Sequence, residues 1–230
     1  MISTTEKIAE IQKQRNKLCR EYSFDPKKAE FACSQISPLI RKILVEKKLF
    51  SMIEELTDDL KRSLEYSIEV TSISGTPKQK SLLRLFGYLE MSEGVFSELV
   101  QSLAFFLMQN GHDIYDPQRM KFIKEYKELD KIPLFVKLQF IEEHELKFVS
   151  DAFDRELRNC IAHLDYIVKD DGDIINKRTG RKIEDLDGKI LNLNAMIQIM
   201  LTIYNEIIIK LTEEVDVAKM QERKNKSNKD

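Results

Sequence analysis

Six consecutive residues, Arg158-Asn159-Cys160-Ile161-Ala162-His163, combine the side-chain types best suited to chemistry in this chain. The chain has only three histidines, and this one follows an arginine by five positions. On a helical wheel Arg158 and His163 fall roughly 140° apart, toward opposite margins of a polar face. Arg155, Asn159 and His163 stack at intervals of four, and Ala162 stands mid-face. A histidine can take or give a proton near neutral pH. An arginine can grip a phosphate through two N–H groups and neutralise charge that builds on it in a transition state. Asn159 can orient the imidazole or bind a phosphate oxygen. RNA carries its own nucleophile, the 2′-hydroxyl. A base and a cation therefore suffice to cut it to a 2′,3′-cyclic phosphate, with no metal or other cofactor. The plain alternative is a solvated helix face, since an arginine and a histidine at this spacing arise by chance in a helical chain of this length.

A bare alanine at the centre of a polar face lets a second helix approach closely. The most economical partner is the same helix of a second copy, because a two-fold interface is self-complementary. A homodimer would set two copies of Arg158, Asn159 and His163 along one groove.

These side chains need a frame, and the composition makes it helical. Of 230 residues, 42% are apolar and 33% charged, with 7 Gly, 5 Pro and no Trp. Few breakers and many Leu, Ile, Lys and Glu favour helix over sheet. Ile8, Ile11, Leu18 and Tyr22 keep helical spacing in the first segment. Asp25-Pro26 opens a second helix along Ala32, Ile36, Leu39, Ile40 and Ile43, which Pro38 is expected to kink or split. Ile53, Leu56, Leu60, Leu64 and Ile68 continue the period. After the break at Gly75-Thr76-Pro77, a long helix is predicted from about Pro77 to Asn110, with Asn110-Gly111 as its cap. Its stripe is Leu82, Phe86, Leu89, Phe96, Val100, Leu103 and Leu107, and Glu93 falls on it. A carboxylate there is either paired or at the edge of a cleft. Shorter helices are predicted over 117–130 and 133–147. The motif helix follows on Phe153, Leu157, Cys160, Ile161, Leu164 and Val168. Short β-branched runs in 166–183, separated by DDGD and RTGR, predict a β-hairpin. A last long helix spans about 188–220, and the basic tail 219–230 has no apolar period and is expected to be disordered. The fold class expected is all-α, a helical bundle with a small β-hairpin inserted before the last long helix. The organisation expected is an N-terminal helical extension over 1–75 packed on a core domain over 76–218.

A net charge of −2 argues against a general nucleic-acid coating protein and leaves room for one local basic cleft. The three cysteines form no C-x-x-C pair and no Cys/His metal spacing, which fits a reduced, cytoplasmic chain. No secretory leader is read at the start, and no apolar run is long enough for a membrane span. His112 reads as a loop residue and His144 as part of an exposed acidic cluster. Glu142, His144 and Glu145 lack the spacing of a zinc protease motif. Cys160 reads as a buried small hydrophobe. Lys177-Arg178-Thr179-Gly180-Arg181-Lys182 gathers four basic residues, as a solvated turn or as an RNA contact.

The segment Arg155 to Ile174 resembles the motif helix of the HEPN superfamily, whose pattern is Arg, a polar residue such as Asn, a short spacer and His. Arg158-Asn159-x-x-x-His163 fits its tight form. The segment containing Gly87 to Leu107 is similar to the long earlier helix of that group. The resemblance implies a helical bundle that dimerises through the motif helices. It also implies metal-independent cleavage of single-stranded RNA, in toxins and anti-phage defence factors among others. Carried over by position, Arg158 and His163 would be the catalytic pair and Asn159 the polar residue beside them; apart from that carry-over, Arg155, Glu93 and Tyr166 are supporting candidates. An antitoxin or nucleotidyltransferase partner is part of the same implication. Some toxin members carry a tyrosine two residues after the histidine, the target of that transferase. Here Asp165 holds that place and Tyr166 comes one later. Other members are non-catalytic modules that bind nucleotide, RNA or protein.

Overall fold

The structure, a computed structural model, describes residues 3–21, 25–44, 65 and 74–227. The expected period through Ile53, Leu56, Leu60, Leu64 and Ile68, and Tyr22 with it, lies outside those residues. Helix α1 (Thr4–Glu21) packs along the last helix, α9 (Leu186–Ser227), and α2 (Pro26–Leu44) packs against α9 and against the helix Ser97–Gln109. Asp25 opens α2 as expected, its carboxylate accepting the Lys27 N–H at 2.9 Å ahead of Pro26. Pro38 does not split α2, which continues through it as one element.

Thr76 and Gln79 form a reciprocal capping box, and Pro77 takes the first position of α3 (Pro77–Met91). A π-helical turn (Ser92–Phe96) joins α3 to α4 (Ser97–Gln109), so the predicted long helix is one rod with a widened turn inside it. It ends as expected at Asn110, with Gly111 in the left-handed region at φ 92°. The face of α3 that turns inward is one residue off the predicted stripe. Ser81, Leu85 and Tyr88 are buried, whereas Phe86 is 51% exposed. The hydrogen bonds of two side chains choose that face: Ser81 Oγ donates to the Gly172 carbonyl at 2.7 Å, and Tyr88 pairs with the Asp154 backbone. Helix α4 is buried on every side from Leu99 to Leu107.

Residues 117–130 do not form the predicted helix. The Asp116 carboxylate accepts the N–H groups of Gln118 and Arg119 at 2.9 and 3.2 Å, a side-chain turn around Pro117. That turn closes the two-residue strands β1 (Tyr115–Asp116) and β2 (Lys121–Phe122), and a single helical turn α5 (Tyr126–Leu129) follows. Pro133 caps α6 (Leu134–Glu143), which packs on α4. The predicted 133–147 helix ends early, at Glu143, because Glu145 turns left-handed at φ 66°; one more turn, α7 (Lys147–Ser150), follows.

The motif helix α8 (Arg155–Ala162) is half the predicted length. Its last turn closes at His163, Leu164 reverses the chain at φ 54°, and the Asp165 N–H returns to the Cys160 carbonyl at 2.8 Å. The run Tyr166-Ile167-Val168 has β-branched residues that pair better across a hairpin than along a helix. It forms β3 (Tyr166–Val168) against β4 (Ile174–Asn176), in the register Tyr166 to Asn176 and Val168 to Ile174. The mostly helical fold with a hairpin before the last helix is the expected class. The backbone of α9 stays helical to Ser227, so residues 219–227 of the expected disordered tail continue that helix. Among the described residues, no helix is long and apolar enough to cross a membrane.

Candidate functional site

An eight-residue helix is too short to hold itself together, so its ends must be fixed from outside. At the start of α8, the Asp154 carboxylate accepts the Leu157 N–H at 2.9 Å and pairs with Lys189 of α9 at 2.5 Å. Burial opposes its charge, but the bonds from Leu157 and Lys189 outweigh burial and hold its carboxyl below the ordinary range. The Tyr88 hydroxyl accepts the Asp154 N–H at 2.8 Å and lies 3.3 Å from the Asp154 carbonyl. Phe153 stacks on Phe96 at 5.3 Å. Leu157, Cys160 and Ile161 then turn inward.

That docking leaves Arg155, Arg158 and Asn159 facing outward. Arg158 Nε is paired with the Glu93 carboxylate, and its NH1 donates to Asn159 Oδ1 at 2.9 Å. Glu93 sits in the π-helical turn. Of the two roles open to Glu93 in the sequence, the structure gives it the ion pair. The pair is partly solvated, the side chains being 29% and 42% exposed. Arg155 lies over the Phe135 ring at 4.7 Å. Arg155, Arg158, Asn159, Phe135 and Phe153 line a cleft of about 130 Å³ with cationic walls and aromatic sides.

His163 does not line that cleft. Because α8 stops at Ala162, His163 is the helix C-cap, its N–H donating to the Asn159 carbonyl at 3.1 Å. Its ring is exposed, with no hydrogen bond or ion pair among the described residues. Leu164, placed by the sequence on the apolar stripe, is instead 61% exposed in the reversing turn. Tyr166 begins β3, half-buried, and burial raises its phenol above the ordinary range, with Cys160 adding to it. One chain therefore brings Arg155, Arg158, Asn159 and Glu93 together and sets His163 and Tyr166 beyond the helix end. Cys160 is buried as expected, its Sγ 3.2 Å from the Asp165 carbonyl.

Two features escape the sequence reading. The basic turn after β4 folds back onto the chain just past His163, with Lys177 Nζ donating to the Leu164 carbonyl at 2.9 Å. And His112 and His144, both read as unconnected surface residues, meet with ring centroids 4.2 Å apart. They border a cavity of about 310 Å³ with Glu143 and Glu145, and burial and His144 lower the His112 imidazole from its ordinary 6.5. Neither pairing has a signal in a single sequence, because each joins loop residues across more than one element. Among the described residues, no group of three or more His, Cys, Asp or Glu is placed to hold a metal ion.

The cleft can receive a phosphate by exchange: an incoming oxygen anion takes the place of Glu93 at Arg158, with Arg155 beside it. Compared with known families, with curated proteins and with solved structures, the chain finds no match.

Proposed function

We propose that the chain is a metal-independent endoribonuclease of the HEPN kind, acting on single-stranded RNA as a homodimer in the cytoplasm. The observation that carries this reading is the polar face of α8, with Arg158 and Asn159 on a cleft and an unpaired His163 at the helix end. His163 takes the proton of the 2′-hydroxyl, and the 2′-oxygen attacks the adjacent phosphorus. Arg158 stabilises the charge on the phosphate oxygens. The 5′-oxygen leaves with a proton returned by His163 of either copy, and a 2′,3′-cyclic phosphate remains. Asn159 steadies Arg158, and Arg155 adds charge at the cleft. A second α8 against the first brings His163 of one copy toward Arg158 of the other, which one chain alone does not do. A role as a toxin or anti-phage factor, with an antitoxin or a modifying partner, rests on the resemblance alone.

One observation favours a second reading, a dimeric module that binds nucleotide, RNA or protein without cutting. Glu93 already satisfies the Arg158 guanidinium. Incubating single-stranded RNA in excess EDTA with wild type and with Arg158→Ala/His163→Ala separates the two. The nuclease reading expects cyclic-phosphate fragments from wild type alone. Binding without fragments supports the second.

A further inference from the structure

The β3–β4 hairpin is polarised. Its inner turn, Asp170-Asp171-Gly172-Asp173, is acidic, and its outer turn, Lys177 to Lys182, is basic. The acidic end has a structural account. It seats on the first turn of α3, where Lys78 meets Asp170 at 2.9 Å, and negative charge suits a helix N-terminus. The basic end is only partly explained in that way. Lys177 caps the end of α8 through the Leu164 carbonyl, and Lys182 is paired with Asp173 at 2.6 Å. Arg178 lies against the Asp165 carboxylate, but the buried Oδ2 it faces receives no well-directed hydrogen bond. Arg178 is 66% exposed. Arg181 is exposed, with no ion pair or side-chain hydrogen bond among the described residues.

The turn is rigid. Asn176 Oδ1 accepts the N–H groups of Arg178 and Thr179 at 2.9 and 3.2 Å, its carbonyl accepts the Gly180 N–H at 2.8 Å, and Gly180 sits at φ 66°. Arg181, without an ion pair among the described residues, and Arg178, ion-paired to Asp165 through one nitrogen, are thus held on one support. That support is bonded to residues 164 and 165, directly after His163. A chain of net charge −2 attracts a polyanion only where cations gather, and here they gather beside the one histidine of the motif.

We propose that Lys177, Arg178 and Arg181 bind the sugar-phosphate backbone of single-stranded RNA that reaches His163. This deepens, and rests on, the RNA-directed reading above. Arginine forks suit phosphate, and a rigid basic ridge tracks a backbone without reading its bases. The RNA strand then runs from the α8 cleft, past His163, onto the hairpin turn.

The test uses the full chain carrying His163→Ala, which cannot cut, and a short fluorescent single-stranded RNA read by anisotropy across a range of salt. Each phosphate contact to a single strand contributes a slope of about 0.7 in log K against log salt, or about fivefold at ~0.1 M relative to 1 M. Arg178→Ala/Arg181→Ala is expected to weaken binding about 25-fold and flatten the slope by about 1.4. Arg181→Ala alone removes no ion pair and no side-chain hydrogen bond among the described residues, and is expected to weaken binding about fivefold. A charge-matched pair on the exposed face of α1, Lys7→Ala/Lys13→Ala, is expected to leave both readings unchanged. Equal loss in the α1 pair, no loss in the hairpin variants, or no RNA binding by the His163→Ala parent overturns the assignment. Hairpin-dependent binding with no cutting by wild type refutes the reaction and keeps this surface. Cutting by wild type, unmoved by the hairpin changes, refutes the surface and keeps the reaction.

Discussion

Glu93→Gln is the sharpest probe of the α8 cleft. The side chain keeps its shape and can still accept a bond from Arg158 Nε, but the negative charge is gone. The pair is partly exposed, so water screens it and its contribution is about 0.5–1 kcal/mol. A phosphate that binds at Arg158 must first displace Glu93, and that displacement costs the same amount. Removing the charge therefore tightens RNA binding by about two- to fivefold, since about 1.4 kcal/mol is a factor of ten. The folded state loses up to about 1 kcal/mol, a fall of about 2–4 °C in Tm for a chain of this size. Anisotropy titration in the His163→Ala background, run beside thermal unfolding, reads both effects. The two must move in opposite directions. RNA affinity that stays constant or weakens while Tm falls refutes the exchange of Glu93 for phosphate and leaves the ion pair purely structural.

Two further outcomes follow, one from the support of α8 and one from the buried pair that joins α1 to α9. Tyr88→Phe strips the Asp154 N–H of its acceptor at the head of α8, a cost of about 1–2 kcal/mol. Amides of 155–162 should then exchange with solvent about tenfold faster, read by hydrogen-exchange mass spectrometry, with RNA cutting falling in step. Glu206→Ala leaves Arg15 buried without its carboxylate and should cost about 3 kcal/mol, on the order of 10 °C in Tm. Burial opposes the Glu206 charge, but bonds from Lys210, Gln12 and Arg15 outweigh it and hold its pKa below the ordinary 4.5. Its contribution is therefore present above pH 4.5 and lost as pH falls through the lower folded value. Stabilities of wild type and Glu206→Ala measured by denaturant unfolding should converge below pH 4.5; a constant gap there refutes the ionic origin of the clasp.

Helix starts and stops were legible where one residue type settles them. Asp25-Pro26, Thr76-Pro77, Pro133 and Asn110-Gly111 all punctuate the chain as their chemistry requires. The hairpin at 166–176 was legible because β-branched runs flank a Gly-bearing acidic turn. The errors share a cause. The helix at 117–130 loses to an aspartate that bonds its own backbone, and the α8 extension to Val168 loses to pairing with Ile174–Asn176, six to ten residues downstream. The Phe86 stripe loses to hydrogen bonds that Ser81 and Tyr88 make to backbone groups far along the chain, at Gly172 and Asp154. In each case a contact outside the period decides which face or conformation wins. The site shows the same division. Arg155 and Asn159 share a face as their spacing of four demands, whereas the Glu93 pair needs the π-helical turn, and the basic turn beside His163 needs the folded hairpin.

The brevity of α8 also bears on how the protein is made. Two turns of helix do not persist in water, and those of α8 are secured by Lys189 at one end and Lys177 at the other. Both lysines are synthesised after the helix they secure. The two ends of α8 are therefore secured only after β4 and the first turns of α9 have been made.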